Sequence, residues 1–133
     1  MNELISFDLV SPEQLVFNDK VGMIIIPGKD GDMGILSGHS KLLSSLRPGR
    51  VMVYGEDKQL IKSFFVSGGF VEVNSKKCIL LAEEVFEMNK LEKNVIQLQI
   101  QELENETSDE CKQRYLIAKS KMEALNSSYY EKI

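Results

Sequence analysis

The hydrophobic period changes once along the chain, near residue 88, and this change limits the possible folds more than any other feature. Up to residue 87 the apolar positions alternate, as Ile5, Phe7 and Leu9 do in "LISFDLV", which is the period of a half-buried strand. Beyond residue 88 they recur every three or four residues, the period of an amphipathic helix. We therefore predict an all-β domain over residues 1–87 and a helical domain over residues 88–133.

Short strands separated by turn residues fill the first domain. "VGMIIIPG" is apolar on both faces, which predicts a central strand that ends at Pro27-Gly28. "QLIKSFFV" and "FVEVNS" are predicted to pair about Gly68-Gly69, with Val71 and Val73 on one face and Glu72 on the other. Helical crossovers do not separate these strands, which excludes a parallel α/β sheet. The pattern predicts a β-sandwich or flattened barrel.

Two helical patterns, separated by "NETSDE", make up the second domain. Asn89 with Glu92, and Thr107 with Glu110, are capping-box signals for the two helix starts. The short break predicts an antiparallel α-helical hairpin. The apolar stripe of the first helix is predicted at Leu91, Val95, Ile96, Leu98, Ile100 and Leu103, and that of the second at Cys111, Tyr115, Ala118, Met122, Leu125 and Tyr129.

Two helices cannot bury both apolar stripes by themselves. The hairpin must therefore pack on the β domain or on a partner. It is either permanently packed on its own sheet, or it docks conditionally and acts as a switch.

Composition excludes several classes of protein. The formal net charge of −4 argues against nucleic-acid binding, which needs a basic face. Cys78 and Cys111 are too distant, and too poor in histidine neighbours, for a zinc site or a dense disulfide framework. We interpret both as reduced, buried thiols of an intracellular protein. "MNELISFDLVS" lacks signal-peptide character, and no apolar run approaches the roughly 20 residues that cross a bilayer. Any work at a membrane is therefore expected to depend on other chains.

The stretch Lys29–Arg50, "KDGDMGILSGHSKLLSSLRPGR", contains the only histidine, His39, and is interpreted as a loop between strands. It lacks a Gly-x-Ser-x-Gly elbow for nucleophilic catalysis. It also lacks the Gly-Lys-Ser/Thr of a phosphate-binding loop. Glu83-Glu84 reads as solvated charge at a strand end. The sequence therefore predicts a protein that works through its surfaces rather than an enzyme.

Four blocks of sequence resemble one family. "FDLVSPEQLVF", "IIPGKDGDMGILSGHSKLLSSLRPGRV", "FFVSGGFVEV" and "ILLAEE", in this order and spacing, are similar to the epsilon chain of F-type, proton-driven rotary ATP synthase. The resemblance is close over residues 3 to 87 and only architectural beyond them. It implies a ten-stranded β-sandwich followed by a two-helix hairpin. It also implies a non-catalytic rotor subunit that binds the gamma chain and the c-ring, with a hairpin that in this family can contact the catalytic alpha/beta head and restrain ATP hydrolysis.

The resemblance also assigns the Gly-rich stretch as a docking loop for the c-ring. Gly31, Asp32, Met33 and Gly34 match the turn that meets the ring, and His39 lies in the matching segment that faces it. Asp32 would offer a carboxylate to the ring loops, and the glycines would allow close backbone approach. The implied location is the cytoplasmic face of the bacterial inner membrane, held peripherally by other subunits.

This chain departs from the family at several positions. Ser37 and Lys41 replace prolines that flank the Gly-His pair in many members, so the loop is expected to be less rigid. "MNKLEKNV" lacks the Asp-x-x-Arg-Ala motif with which some bacterial members bind ATP. We therefore expect weak or absent ATP affinity and no cofactor.

Two other classes stay open at this point. A small-ligand or carbohydrate-binding β-sandwich would have a concave pocket lined by aromatic side chains. An enzyme centred on His39 would hold this side chain in a cleft, with turnover in the isolated chain.

Overall fold

The structure is a computed structural model that describes residues 3–126. Its ten strands, β1 to β10, are Ile5–Val10, Leu15–Val21, Met23–Gly28, Gly31–Ile35, Leu42–Leu46, Gly49–Tyr54, Leu60–Val66, Gly69–Val73, Lys77–Ala82 and Val85–Glu87. A 3₁₀ turn at Met88–Lys90 leads to helices α1, Lys93–Leu103, and α2, Asp109–Asn126. The predicted fold, a β-sandwich of short strands followed by two helices, is confirmed.

One continuous ladder of hydrogen bonds folds into two layers. Its strand order is β10-β7-β6-β3-β5-β8-β9-β1-β2, with β4 paired to β3. The ladder turns a corner at β3 and β5, which pair only at Gly28 and Leu46. Strands β10, β7, β6, β3 and β4 form sheet one, and strands β5, β8, β9, β1 and β2 form sheet two. The pair β1–β9 is parallel, and the other strand pairs are antiparallel.

The core lies between the two sheets, where the alternating side chains of both layers meet. Ile5, Phe7 and Leu9 are fully buried, as their alternation predicts. Phe17 joins the layers, because its ring lies 5.8 Å from that of Phe7 and 6.0 Å from that of Phe64 on the other sheet. Each such side chain contributes about 1.5–3 kcal/mol through burial.

The predicted pairing of β7 with β8 about Gly68-Gly69 is wrong. Strand β7 pairs with β6 and β10, whereas β8 pairs with β5 and β9. At this glycine pair the chain crosses from sheet one to sheet two. Gly69 has φ +144°, and a Cβ there would overlap the carbonyl oxygen of Leu81. Glycine is therefore required by a close approach between strands and not by a hairpin turn.

The interpretation of Lys29–Arg50 as a loop is also wrong. The stretch contains two whole strands, β4 and β5, and the start of β6. Its glycines and serines mask the alternation, since they carry little hydrophobic signal. The real turn between β3 and β4 is formed by Lys29 and Asp30.

Both predicted helix caps are displaced. Asn89 lies in the 3₁₀ turn, and α1 begins only at Lys93, with Glu92 as an N-cap whose side chain makes no cap hydrogen bond. Ser108 caps α2, because its Oγ accepts a hydrogen bond from the Cys111 backbone N–H at 3.2 Å. The cap is thus one residue later than the predicted Thr107.

The two helices pack on each other through about half of the predicted α1 stripe. Ile96 and Ile100 of α1 are buried against Ala118 of α2. Val95 and Leu98, predicted to share this face, are exposed, so that part of the prediction is wrong. The predicted α2 seam is confirmed from Tyr115 to Leu125, whereas Cys111 does not join the cluster and Tyr129 lies outside the described residues. Across residues 3–126, no helix is both long and apolar enough to cross a membrane.

Candidate functional site

The outer face of sheet two carries a row of exposed apolar side chains. Phe70 of β8 lies opposite Leu81 of β9, Leu81 lies opposite Val10 of β1, and Val10 lies opposite Leu15 of β2. Phe70 is 58% exposed, Leu81 53% and Leu15 57%. Leu43 of β5, 75% exposed, lies on the same face, opposite Glu72 and diagonal to Phe70. We call these five residues the apolar row. A contiguous exposed apolar patch of this kind marks an interaction surface.

Charged side chains border the apolar row. Lys77 Nζ lies 3.4 Å from Asp8 Oδ2, and the Asn18 side-chain amide also contacts Asp8. Glu72 is exposed between Leu43 and Ile79 on the neighbouring rung of the ladder. An apolar centre with a polar rim is the usual composition of a protein–protein interface.

The outer face of sheet one is covered by the chain's own helix. Phe65 of β7 is fully buried beneath α2, together with Met88 and Ala124. Lys121 of α2 places its Nζ 3.8 Å from the centre of the Phe86 ring. Burial lowers the pKa of Lys121, an effect that the nearby Glu84 carboxylate partly opposes. The outer face of sheet one therefore packs against the hairpin, whereas the apolar row on the outer face of sheet two is exposed.

The predicted docking residues Gly31, Asp32, Met33 and Gly34 all lie in β4, next to the β3–β4 turn. Asp32 forms an ion pair with Arg47, which also donates from Nη1 to the Gly28 carbonyl oxygen at 2.6 Å. Arg47 thus ties the β3–β4 hairpin to the start of the β5–β6 connection. We call this end of the sandwich, with residues 29–34 and Arg47, the hairpin tip.

The glycines of the hairpin tip leave the backbone of β4 accessible. Gly31 and Gly34 are both exposed. A Cβ on Gly31 would meet no atom within 4 Å, and one on Gly34 would only touch Met23 Sδ at 3.9 Å. Gly31 has φ +145°, which favours glycine, whereas Gly34 has no such constraint. The space beside Gly34 is therefore free for an approaching partner.

His39 does not lie with the other predicted docking residues. It follows the far end of β4, about 16 Å along the strand from the β3–β4 turn at the usual rise per residue. Its Nδ1 lies 2.7 Å from the Ser40 carbonyl oxygen, to which it donates when protonated, and its backbone N–H donates to Leu36. This local bonding ties the imidazole to the backbone of its own loop. The contact of His39 with the c-ring stays a prediction, and it is separate from the predicted contact of the hairpin tip with the c-ring.

A small-ligand-binding β-sandwich would have a concave pocket lined by aromatic side chains, and two cavities among the described residues can be compared with this expectation. The first, of about 660 Å³, opens at the end opposite the hairpin tip and has Tyr54 as the only aromatic among its lining residues. The second, of about 640 Å³, lies between the edges of β2 and β10 and contacts Phe17, Phe64 and Phe86. Lys62 and Lys90 both form ion pairs with Glu87 at its rim, and these contacts lower the pKa of Glu87.

The two thiols differ in environment, which corrects the prediction that both are buried. Cys78 is fully buried in the core, and burial raises its pKa to about 12. Cys111 is only half-buried at the start of α2. Within the described part of the chain, three or more His, Cys, Asp or Glu side chains nowhere converge in a way that would hold a metal ion.

Sequence reasoning missed the apolar row. The signal was present, because "KCILLA" carries apolar residues on both faces of its strand, with Leu81 out of phase with buried Cys78 and Leu80. In the same way, Phe70 lies on the face of β8 opposite to that of the buried Val71 and Val73. A strand that is apolar on both faces predicts a second covered surface.

Comparison with known proteins identifies the family. Residues 4–88 match the model of the "ATP synthase, Delta/Epsilon chain, beta-sandwich domain". The ATP synthase epsilon chain of Rhodospirillum rubrum is 39% identical over 129 residues, which cover 94% of this chain and 96% of the relative. That of Parvibaculum lavamentivorans is 39% identical over 109 residues, or 82% of each chain. The chain belongs to the ATP synthase delta/epsilon chain family.

Solved structures share the fold over the helices as well. A chain of the Euglena gracilis mitochondrial ATP synthase, in a structure of OSCP, F1 and the c-ring, matches with a TM-score of 0.78 and 22% identity, over 92% of this chain and 79% of that one. A chain from the central stalk and c-ring of the Tetrahymena thermophila mitochondrial ATP synthase matches with a TM-score of 0.61 and 18% identity, over 93% and 95%.

Proposed function

We propose that this chain is a rotor subunit of the ATP synthase central stalk, that its apolar row binds the gamma chain and that its hairpin tip rests on the c-ring. The chain is a non-catalytic subunit of the epsilon type, since relatives of nearly its full length are ATP synthase epsilon chains. Torque passes between two partners only if the subunit holds both of them. The two surfaces lie on separate parts of the sandwich, which allows simultaneous contact.

The exposed apolar row is the single observation that supports the gamma contact best. Four of its five apolar side chains are each more than half exposed on the sheet, namely Leu43, Phe70, Leu15 and Leu81. Aromatic anchors at the centre of an apolar patch carry a large share of binding energy in protein interfaces. A rotor needs such a rigid, preorganised face, because a flexible contact would lose torque.

The hairpin tip supports the ring contact through its open backbone and its internal ion pair. Asp32 pairs with Arg47, so its carboxylate stabilises the conformation of the hairpin tip. The same carboxylate is also proposed to face the c-ring. Polar ring loops would meet the exposed Lys29 and Asp30 at the turn and the open side of Gly34. This assignment places the chain at the cytoplasmic face of the bacterial inner membrane, held there by the other subunits.

The hairpin is proposed to contact the alpha/beta catalytic head when it leaves sheet one, and to restrain ATP hydrolysis in that state. Its docking on sheet one, described above, is then the resting state. ATP is not proposed as its ligand, because "MNKLEKNV" lacks the residues of the family's nucleotide motif.

Binding of the full chain to the cognate gamma chain tests the first contact. Phe70→Asp is expected to weaken gamma binding by about a hundredfold or more, since it removes the aromatic side chain of the patch and places a charge there. Ile61→Asp, which changes an exposed apolar residue of sheet one, is the matched control and should bind normally. Equal loss in both variants, or loss in neither, would remove the gamma assignment.

Reassembly of the chain with membranes that carry the c-ring tests the second contact. Gly34→Glu is expected to fold normally and to lower proton-driven ATP synthesis several-fold, because the added side chain occupies the approach to the ring. Leu36→Glu, a change at an exposed position just beyond β4, is the control. Normal coupling with Gly34→Glu would show that the ring lies elsewhere.

A further inference from the structure

Arg50 is the only charged side chain among the described residues that is buried, with 8% of its surface exposed. It lies in β6, where Val51 and Val53 point into the core and Arg50 points to the opposite, outer face. That face is the one covered by α2. An ionised side chain is costly to bury unless hydrogen bonds replace those that it made with water. The contacts of Arg50 should therefore explain why a charged side chain is buried at this position.

Arg50 contacts the backbone of α2, 74 residues away in sequence. Its Nη1 donates to the Ala124 carbonyl oxygen at 3.1 Å. Arg50 lies opposite Phe65 in the β6–β7 ladder, and Phe65 and Ala124 belong to the same buried cluster beneath α2. Arg50 therefore joins sheet one to the helix backbone beside the apolar contacts that hold the helix.

We propose that Arg50 is a positioning residue of the hairpin, which fixes α2 on sheet one through its hydrogen bond to the Ala124 carbonyl oxygen. Lys121 acts in the reverse direction, since it carries a cation from α2 to the Phe86 ring of the sandwich. Undocking the hairpin breaks both contacts together. The opening equilibrium of the hairpin therefore depends on Arg50 as well as on Lys121 and the apolar contacts beneath α2.

Native-state hydrogen exchange of the full chain tests this inference. In Arg50→Met the side chain keeps much of its apolar length but loses the charged hydrogen bond to Ala124 in a buried site, which changes an opening equilibrium by roughly ten- to a hundredfold. Amide exchange in α2 is expected to speed up by that factor, while the amides of β6 and β3 keep their protection. Arg50→Lys, which retains the charge, should restore part of the protection.

Arg114→Met is the matched control, because Arg114 lies on the exposed face of α2 and its ion pair within residues 3–126 is with Glu110 of the same helix. It should change exchange in α2 by less than about twofold, as exposed ion pairs contribute little. Equal exchange in Arg50→Met and Arg114→Met would overturn the proposal. Parallel loss of protection in α2 and in β6 would also overturn it, since Arg50 would then stabilise the sandwich in general.

The consequence in the assembled enzyme rests on the proposed function. If the released hairpin restrains the catalytic head, ATP synthase reassembled with Arg50→Met should hydrolyse ATP more slowly than the enzyme with Arg114→Met. Faster exchange in α2 with unchanged hydrolysis would support the role of Arg50 and contradict the proposed restraint. The positioning role of Arg50 and the proposed restraint of ATP hydrolysis can therefore be contradicted independently of each other.

Discussion

The outer faces of the two sheets are built from similar residues but have different neighbours. On sheet one, Phe65 is fully buried beneath α2, whereas on sheet two Phe70 is 58% exposed. Both are phenylalanines in regular strands on the outward side of the same sandwich. The chain therefore covers one apolar face by itself and leaves the other open. In the proposed function, the first face stabilises the hairpin and the second transmits force to a partner.

The largest expected effect concerns stability. Phe65→Ala should lower the free energy of unfolding by about 3–5 kcal/mol, because it opens a cavity beneath α2. Phe70→Ala should change the same quantity by less than about 0.5 kcal/mol, as expected for an exposed position. Urea denaturation followed by circular dichroism measures both. Similar losses at the two positions would break the distinction between a covered and an open face.

Partner binding should give the opposite order. Phe70→Ala is expected to weaken binding to the gamma chain by about tenfold or more, the usual effect of removing an aromatic anchor. Leu43→Ala, at the end of the row, should have a smaller effect, and the exposed Leu98→Ala on α1 should have none. Isothermal titration calorimetry of the full chain provides the affinities. A loss with Leu98→Ala as large as with Phe70→Ala would move the gamma surface to the hairpin.

The smallest expected effect concerns pH and the docked hairpin. Burial lowers the pKa of Lys121 from its usual 10.5, so the docked state binds this proton less tightly than the undocked state. The hairpin should therefore become more firmly docked as the pH rises from the lowered pKa toward 10.5, and change no further above it. The Phe86 ring favours the cation and keeps the effect small.

Hydrogen exchange in α2 as a function of pH, corrected for the intrinsic exchange rate, measures this dependence. Lys121→Met should abolish the pH dependence. Lys119→Met, which replaces a neighbouring exposed lysine, should leave the pH dependence intact. A pH dependence that persists in Lys121→Met would assign the titration to another group.

The period of the apolar residues predicted most of the architecture. The alternation of Ile5, Phe7 and Leu9 and the helical spacing after residue 88 arise from burial, which acts on each element locally. Strands β4 and β5 were missed because glycine and serine carry little hydrophobic signal. The pairing of β7 with β8 was wrong because two adjacent glycines are compatible both with a hairpin turn and with a crossing between sheets.

The functional surfaces were less predictable than the fold. The hairpin tip was found through a resemblance, but its Asp32–Arg47 ion pair joins the β3–β4 hairpin to the β5–β6 connection and has no local sequence signal. The role of Arg50 depends on Ala124, 74 residues further along the chain. Contacts of this kind follow from tertiary packing, which strand and helix periods do not specify.

Covalent footprinting of side chains with hydroxyl radicals, in the free chain and in its complex with gamma, measures the exposure of both outer faces. In the free chain we expect strong labelling of Phe70 and Leu81 and weak labelling of Phe65. When gamma binds, labelling of the apolar row, including Phe70 and Leu81, should decrease several-fold, while that of Phe65 should not change. Unchanged labelling of Phe70 in the complex, with new protection elsewhere, would contradict the claim that the open face of sheet two is the rotor contact.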